Sequence, residues 1–198
     1  MRIVGICGSI KKDSTNLRLL NIVSYYFQNL EILLQKTTLI NDELVRKWIL
    51  DRAISNSGFH MKTMDISQLP FFDPDLQFAK TLPEKLQELR CQVQEADLLL
   101  ISTPEYAHGI PGVLKNCLEW LICEETMKKP VAIVISSATD AKYIKEYLLE
   151  TLRTMDLCPV AMDILVIQGN EKSKIKSTGE IIDTKLEADL INYFSKIF

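Results

Sequence analysis

The chain has 198 residues, 47% of them hydrophobic and 25% charged, with a formal net charge of −3. This is the composition of one globular domain with a good-sized core, and it gives no electrostatic reason to expect nucleic acid or an anionic membrane as a partner. Five scattered cysteines without a Cys-x-x-Cys spacing, and only two histidines (His60 and His108), argue against a disulfide framework, an iron–sulfur cluster or a zinc site and for a reducing compartment, the cytoplasm.

Strand-like runs and helical patterns alternate along the chain. Residues 2–7 form a short β-rich run ending at Gly8, and residues 16–29 carry apolar side chains at helical spacing. A second strand is predicted over 59–65, and a helix over 83–96 with Pro83 in its first turn. A third strand at 98–102 leads into a helix at 111–123, and a fourth at 131–135 into a helix at 141–155. A fifth strand at 160–167 and a closing helix at 184–197 complete the series. The central strands are continuously apolar, as expected where helices cover both faces of a parallel sheet. The pattern predicts a doubly wound α/β domain spanning 1–198. Residues 30–56 are extra to it, with Asn41 or Asp42 placed to cap a helix over 43–54 that serves as an added flank helix, a dimer arm or a lid. No apolar run reaches the ~18–20 residues that span a bilayer, and the amino terminus runs into a strand pattern without a secretory cleavage signature.

Two loops carry the chemistry. After the first strand comes Gly8-Ser-Ile-Lys-Lys-Asp-Ser-Thr-Asn16. Gly8 permits a sharp exit, Ser9, Ser14, Thr15 and Asn16 supply donors, and Asp13 or Ser14 is placed to cap the next helix. A helix N-terminus with small donors is the material of a phosphate site; Lys11 and Lys12 add positive charge. A capped helix after a polar turn is the plainer reading of the same residues. The Walker pattern is absent, and so is the three-glycine dinucleotide fingerprint; Asp65, at the end of the second strand, comes too late in sequence for that fingerprint's ribose-binding acid.

After the third strand comes Thr103-Pro-Glu-Tyr-Ala-His-Gly-Ile-Pro-Gly-Val-Leu-Lys-Asn116. Prolines stiffen this loop, Gly109 and Gly112 permit backbone approach to a flat ligand, and Tyr106 and His108 offer rings. In a sheet of order 2-1-3-4-5, strands 1 and 3 are neighbours whose connections leave in opposite directions, so these two loops flank the ligand crevice. His108 is a candidate proton donor or a cap for the helix that follows. Ser136 or Ser137 with His108 lacks the Gly-x-Ser-x-Gly elbow of a hydrolase. Cys7, Cys117, Trp48 and Trp120 read as packing residues.

Gly8-Ser9…Ser14-x-Asn16 and Thr103-Pro-Glu-Tyr…Ile110-Pro-Gly-Val-Leu-Lys-Asn resemble the NADPH-dependent FMN reductase family, which has the flavodoxin-like fold. The likeness continues through Asp65-Ile-x-x-Leu-Pro-Phe-Phe-Asp-Pro-Asp75 and Gly179-Glu-Ile-Ile-Asp183. It implies a five-stranded parallel sheet, bound FMN, and NADPH or NADH as co-substrate. The implied reaction passes hydride from nicotinamide to flavin and then to a small acceptor: a quinone, a flavin, an azo compound or a metal oxyanion. It implies that Ser9, Lys11, Ser14, Thr15 and Asn16 hold the FMN phosphate. Pro104, Glu105 and Tyr106 would line the ribityl chain and ring, with Ala107 and His108 beside the ring. Ser136 and Ser137 would approach its other side. Glu105 is expected to be a loop hydrogen-bond partner, no catalytic side chain and no metal are implied, and a homodimer or dimer of dimers is.

The chain departs from the family at two places. Ala107 stands where Asn is usual, and Ala138-Thr-Asp-Ala141 stands where many members carry glycines. An FMN-binding electron carrier, or a flavin-binding protein with little turnover, therefore remains the alternative. A phosphate-binding regulatory module would need only the first loop.

Overall fold

The computed structural model describes residues 1–29, 59–160, 164–169, 174–175 and 181–197. The predicted helix over 43–54, with Trp48, lies outside the described residues.

Five strand positions form one parallel sheet. β1 (Arg2–Cys7) lies between β2 (His60–Met64) and β3 (Leu98–Thr103), and β4 (Pro130–Ser137) follows β3. The order is 2-1-3-4-5, as predicted. Helices α1 (Thr15–Gln28), α2 (Glu84–Glu95), α3 (Gly112–Trp120), α4 (Lys142–Thr154) and α5 (Thr184–Ser195) connect and close it. Successive side chains on a strand point to opposite faces, and here both faces are apolar. Ile3, Leu98, Leu100 and Val134 pack on α1 and α5, whereas Val4, Ile6, Leu99, Ile101 and Ile133 pack on α2, α3 and α4. That two-sided burial is why the strands read as continuous apolar runs.

The fifth position departs from the expected single strand over 160–167. It is occupied by β5 (Cys158–Pro159), paired with Pro130 and Val131, and β6 (Leu165–Gln168), paired with Val134 to Ser137. The outer chain therefore advances from 159 to 165 while β4 advances from 131 to 134. In the interval the Ile133 N–H donates instead to the Tyr193 hydroxyl of α5, at 2.8 Å. A buried N–H must find a partner, and an α5 side chain supplies it. Burial pushes the Tyr193 hydroxyl up to about 12, so it remains protonated. No sequence period announces a substitution of this kind.

The carboxyl ends of β1, β3 and β4 gather three loops at one end of the sheet. There the switch in strand order opens a crevice.

Candidate functional site

Gly8 continues the β1 ladder by donating its N–H to Ser102 O at 2.8 Å. A Cβ on Gly8 would lie 2.2 Å from Thr103 Oγ1 and 2.7 Å from Thr103 Cβ. Glycine is required here by close approach to β3, more than by the turn that the sequence suggests. The loop then places Ser9, half-exposed Thr15 and the exposed Lys11 and Lys12 around the start of α1. Ser14 is the N-cap of α1, yet its side chain makes no capping bond and no acidic residue occupies the first turn. Asp13 pairs with Arg18 instead. The amino end of α1 is thus left uncapped and without a compensating carboxylate, which suits an anionic group.

The Asn16 side chain engages β3 through its amide oxygen. It is buried, and its Oδ1 accepts from Ser102 Oγ at 3.0 Å, tying α1 to β3. Cys7 lies beneath the loop, donating to Ser9 O at 3.2 Å, and burial pushes its thiol up. Cys117 is raised to about 12 by complete burial. Both are packing thiols, as predicted.

The loop after β3 is a tight two-residue hairpin. Tyr106 and Gly109 exchange backbone hydrogen bonds at 3.2 and 2.9 Å. The two residues between them, Ala107 and His108, have φ of 48° and 57°. A turn with both central residues in the left-handed region is of the I′ kind, which favours Asn and Gly. The left-handed burden falls on Ala107 and His108, while Gly109 and Gly112 keep negative φ. The familial Asn at position 107 is thereby explained as a turn residue.

Glu105 fixes this hairpin to the loop after β4. Its Oε1 accepts from the N–H of Ile144, the third residue of α4, at 3.0 Å, and its Oε2 accepts from Thr139 Oγ1 at 2.5 Å. Glu105 therefore caps α4 from another segment, as an N-cap side chain does locally. Thr139 Oγ1 also meets Ser137 Oγ at 3.0 Å and accepts from Ala141 N at 3.2 Å. Ser136 and Ser137 are buried at the end of β4. Ala141, the N-cap of α4, has φ of 55°, so it too takes a conformation that favours glycine. His108 does not stand over α3 as a cap; its ring meets Tyr143 edge-on at 4.6 Å. Pro104 is buried, and Tyr106 is half-exposed with its hydroxyl 3.3 Å from Ser9 Oγ. That contact joins the two loops across the crevice.

Sequence reasoning missed Asn116. Its amide donates to Pro70 O at 2.9 Å and accepts from Phe72 N at 2.7 Å, while Trp120 Nε1 donates to the same Pro70 O at 2.8 Å. Phe72 packs edge-on against Trp120. The Leu-Pro-Phe-Phe segment after β2 is thus pinned by α3. The signal lay in the shared presence of both segments in the family pattern, which spacing alone does not connect.

The sequence model of the NADPH-dependent FMN reductases matches residues 1–172. The chain belongs to that family. It is 32% identical over 120 residues to a NAD(P)H:quinone oxidoreductase of Solanum tuberosum, covering 61% of this chain and 49% of the potato protein. A NAD(P)H-dependent FMN reductase of Pseudomonas aeruginosa is 30% identical over 136 residues, 65% of this chain and 71% of that one. Among solved structures, the flavoenzyme NAD(P)H:(acceptor) oxidoreductase of Paracoccus denitrificans superposes with a TM-score of 0.71 at 20% identity, covering 99% of this chain and 96% of the other. An azoreductase gives a TM-score of 0.61 at 11% identity, with both chains fully covered. At such identities the structural likeness shows the flavodoxin-like fold.

Proposed function

We propose that this protein is an NAD(P)H-dependent FMN reductase that holds FMN in the crevice between the loops after β1 and β3 and reduces a small acceptor such as a quinone. One observation carries the reading: the uncapped amino end of α1 faces the same crevice as the Pro104–His108 hairpin, and the two loops touch through Ser9 and Tyr106 at 3.3 Å. The first supplies free N–H groups and a positive dipole end for a phosphate, with Ser9, Ser14, Thr15 and Lys11 around it. The second supplies a stiff wall with an exposed aromatic side chain for a planar ring.

When bound, FMN supplies the hydride and electron chemistry. The chain's residues bind and orient. The Glu105 bridge keeps the hairpin in register with α4, and Ser137 with Thr139 holds the third loop. Backbone N–H groups at the crevice are the donors available to negative charge on a reduced ring. No side chain need act as general acid where acceptors take protons from solvent.

The family resemblance supports a homodimer, or a dimer of dimers, and exposed apolar side chains such as Phe71 and Phe78 fit a surface that meets a second copy. Five free cysteines fit a cytoplasmic, reducing setting. Among the described residues no helix is long and apolar enough to cross a membrane.

Purification without added flavin, followed by a spectrum and anaerobic mixing with NADPH and with NADH, tests the reading. We expect flavin bands that bleach within seconds. A protein without flavin affinity overturns FMN binding, and one whose flavin stays oxidised is a binder or carrier.

A further inference from the structure

A second cleft, of about 320 Å³, opens on the far side of the loop after β1, between the carboxyl ends of β1 and β2. Ile10, Lys11 and Lys12 line one wall, and Asp65, Ile66 and Ser67 the other. In sequence Asp65 lies too far along for the acid that binds ribose in dinucleotide folds. In space the objection disappears. β2 is the parallel neighbour of β1, with Met64 paired to Ile6, so Asp65 ends the strand beside the phosphate loop. The insertion at 30–56 lengthens the connection, and β2 pairs with β1 all the same. In dinucleotide-binding doubly wound folds an acid at the end of this strand accepts from a ribose hydroxyl.

The cleft has the means to do so. Asp65 Oδ1 accepts both the N–H of Ser67, at 2.9 Å, and its hydroxyl, at 2.6 Å. Its Oδ2 has no hydrogen-bond partner among the described residues. Those bonds from Ser67 hold the Asp65 carboxyl below the usual range, so it is ionised at neutral pH. Opposite, the Lys11 and Lys12 side chains are exposed, and neither pairs with an acid among the described residues. Ile10 is 65% exposed, an apolar side chain on the rim above buried Ile66. A free carboxylate oxygen, two cations and an apolar rim suit a ligand with hydroxyls, anionic groups and a flat base. A bare phosphate gains nothing from Asp65, and a hydrocarbon gains nothing from the lysines.

Resting on the reductase reading, we propose that this cleft binds the adenosine diphosphate end of the nicotinamide co-substrate, with Asp65 Oδ2 accepting from a ribose hydroxyl and Lys12 facing the pyrophosphate. Lys11, on the wall shared with the FMN site, stands between the two phosphate-bearing ligands. Neighbouring strands lie ~4.8 Å apart, so this cleft is about 10 Å from the β3–β4 gap beneath the hairpin. An extended dinucleotide can bridge that interval and bring its nicotinamide to the hairpin side.

The test uses the flavin-loaded protein and Asp65→Asn, which keeps one oxygen for Ser67 and turns an NH₂ toward the ribose. ADP is titrated calorimetrically into both proteins, and FMN affinity is measured by fluorescence. The ratio of kcat/KM for NADH, and separately for NADPH, to that for reduced nicotinamide mononucleotide is then compared. Loss of a hydrogen bond to a charged acceptor should weaken ADP binding and lower the NADH ratio by about tenfold or more, whereas the NADPH ratio should not fall, because its 2′-phosphate on the same ribose is repelled by the wild-type carboxylate. Absence of ADP binding by the wild-type protein overturns the proposal, as does an NADH ratio unchanged in Asp65→Asn. So does weakened FMN binding by that variant, which assigns the cleft to the flavin. If no nicotinamide reduces the flavin, the reductase reading fails, and the ADP titration still decides the cleft.

Discussion

Replacing Glu105 by alanine removes both bonds that hold the hairpin after β3 to the start of α4. One is a cap on the Ile144 N–H at 3.0 Å, and the other accepts from Thr139 Oγ1 at 2.5 Å. Removal of a helix cap costs ~1 kcal/mol, and a hydrogen bond to a charged group contributes ~1.5–3 kcal/mol, which partial exposure of Glu105 pulls to the lower end. We take about 2 kcal/mol for the pair, because the two bonds share one side chain and do not add fully. In a domain of this size that lowers Tm by about 4–8 °C. Glu105→Gln retains one acceptor oxygen, so it should lose about half as much. A hairpin released from α4 also binds flavin less well, and ~1.4 kcal/mol of ordering cost weakens FMN about tenfold. Scanning calorimetry of the apo protein and fluorescence titration with FMN read the two effects separately. An alanine variant with wild-type Tm and wild-type FMN affinity refutes the argument that Glu105 sets the position of this wall.

Three further outcomes follow from particular positions. Ala107→Gly should raise apo stability by ~0.5–1 kcal/mol, and Ala107→Asn by somewhat less, because each tolerates the φ of 48° better than alanine does; chemical denaturation measures it. Asn116→Ala should cost ~1–3 kcal/mol by removing two bonds to the segment at Pro70 and Phe72, while Asn116→Asp, which cannot donate to Pro70 O, should also destabilise. Thiol titration of the native protein at neutral pH should modify Cys91 and Cys158 fast and half-buried Cys123 slowly. Cys7 and Cys117, both buried with raised pKa, should react only on unfolding.

The alternation of strands and helices was legible because it rests on local chemistry, apolar runs and helix starts; the 2-1-3-4-5 order came from the common arrangement of such folds and the family resemblance. Glu105, which makes two hydrogen bonds, was legible as a loop hydrogen-bond partner through the family resemblance. The pairings were not. Nothing in the spacing says that Glu105 Oε1 meets Ile144 N, 39 positions on, or that Asn16 turns to Ser102. Such contacts depend on which strand edges adjoin, and that is fixed only after the sheet is assembled. The split fifth strand is the same case: Tyr193 can replace a ladder partner at Ile133 only because α5 packs across that edge.

Asp65 shows how a distance in sequence misleads in the opposite direction. Twenty residues is the usual interval to the ribose-binding acid because a single helix usually separates the first two strands. Here residues 30–56 are added to that crossover, and Asp65 nonetheless follows Met64, the partner of Ile6. What a co-substrate meets is a position in the sheet, and pairing fixes that position whatever the length of the connection. The length of the insertion is therefore no evidence against a ribose site, and a cleft lined by the Asp65 carboxylate and by Lys11 and Lys12, none of them in an ion pair among the described residues, fits one.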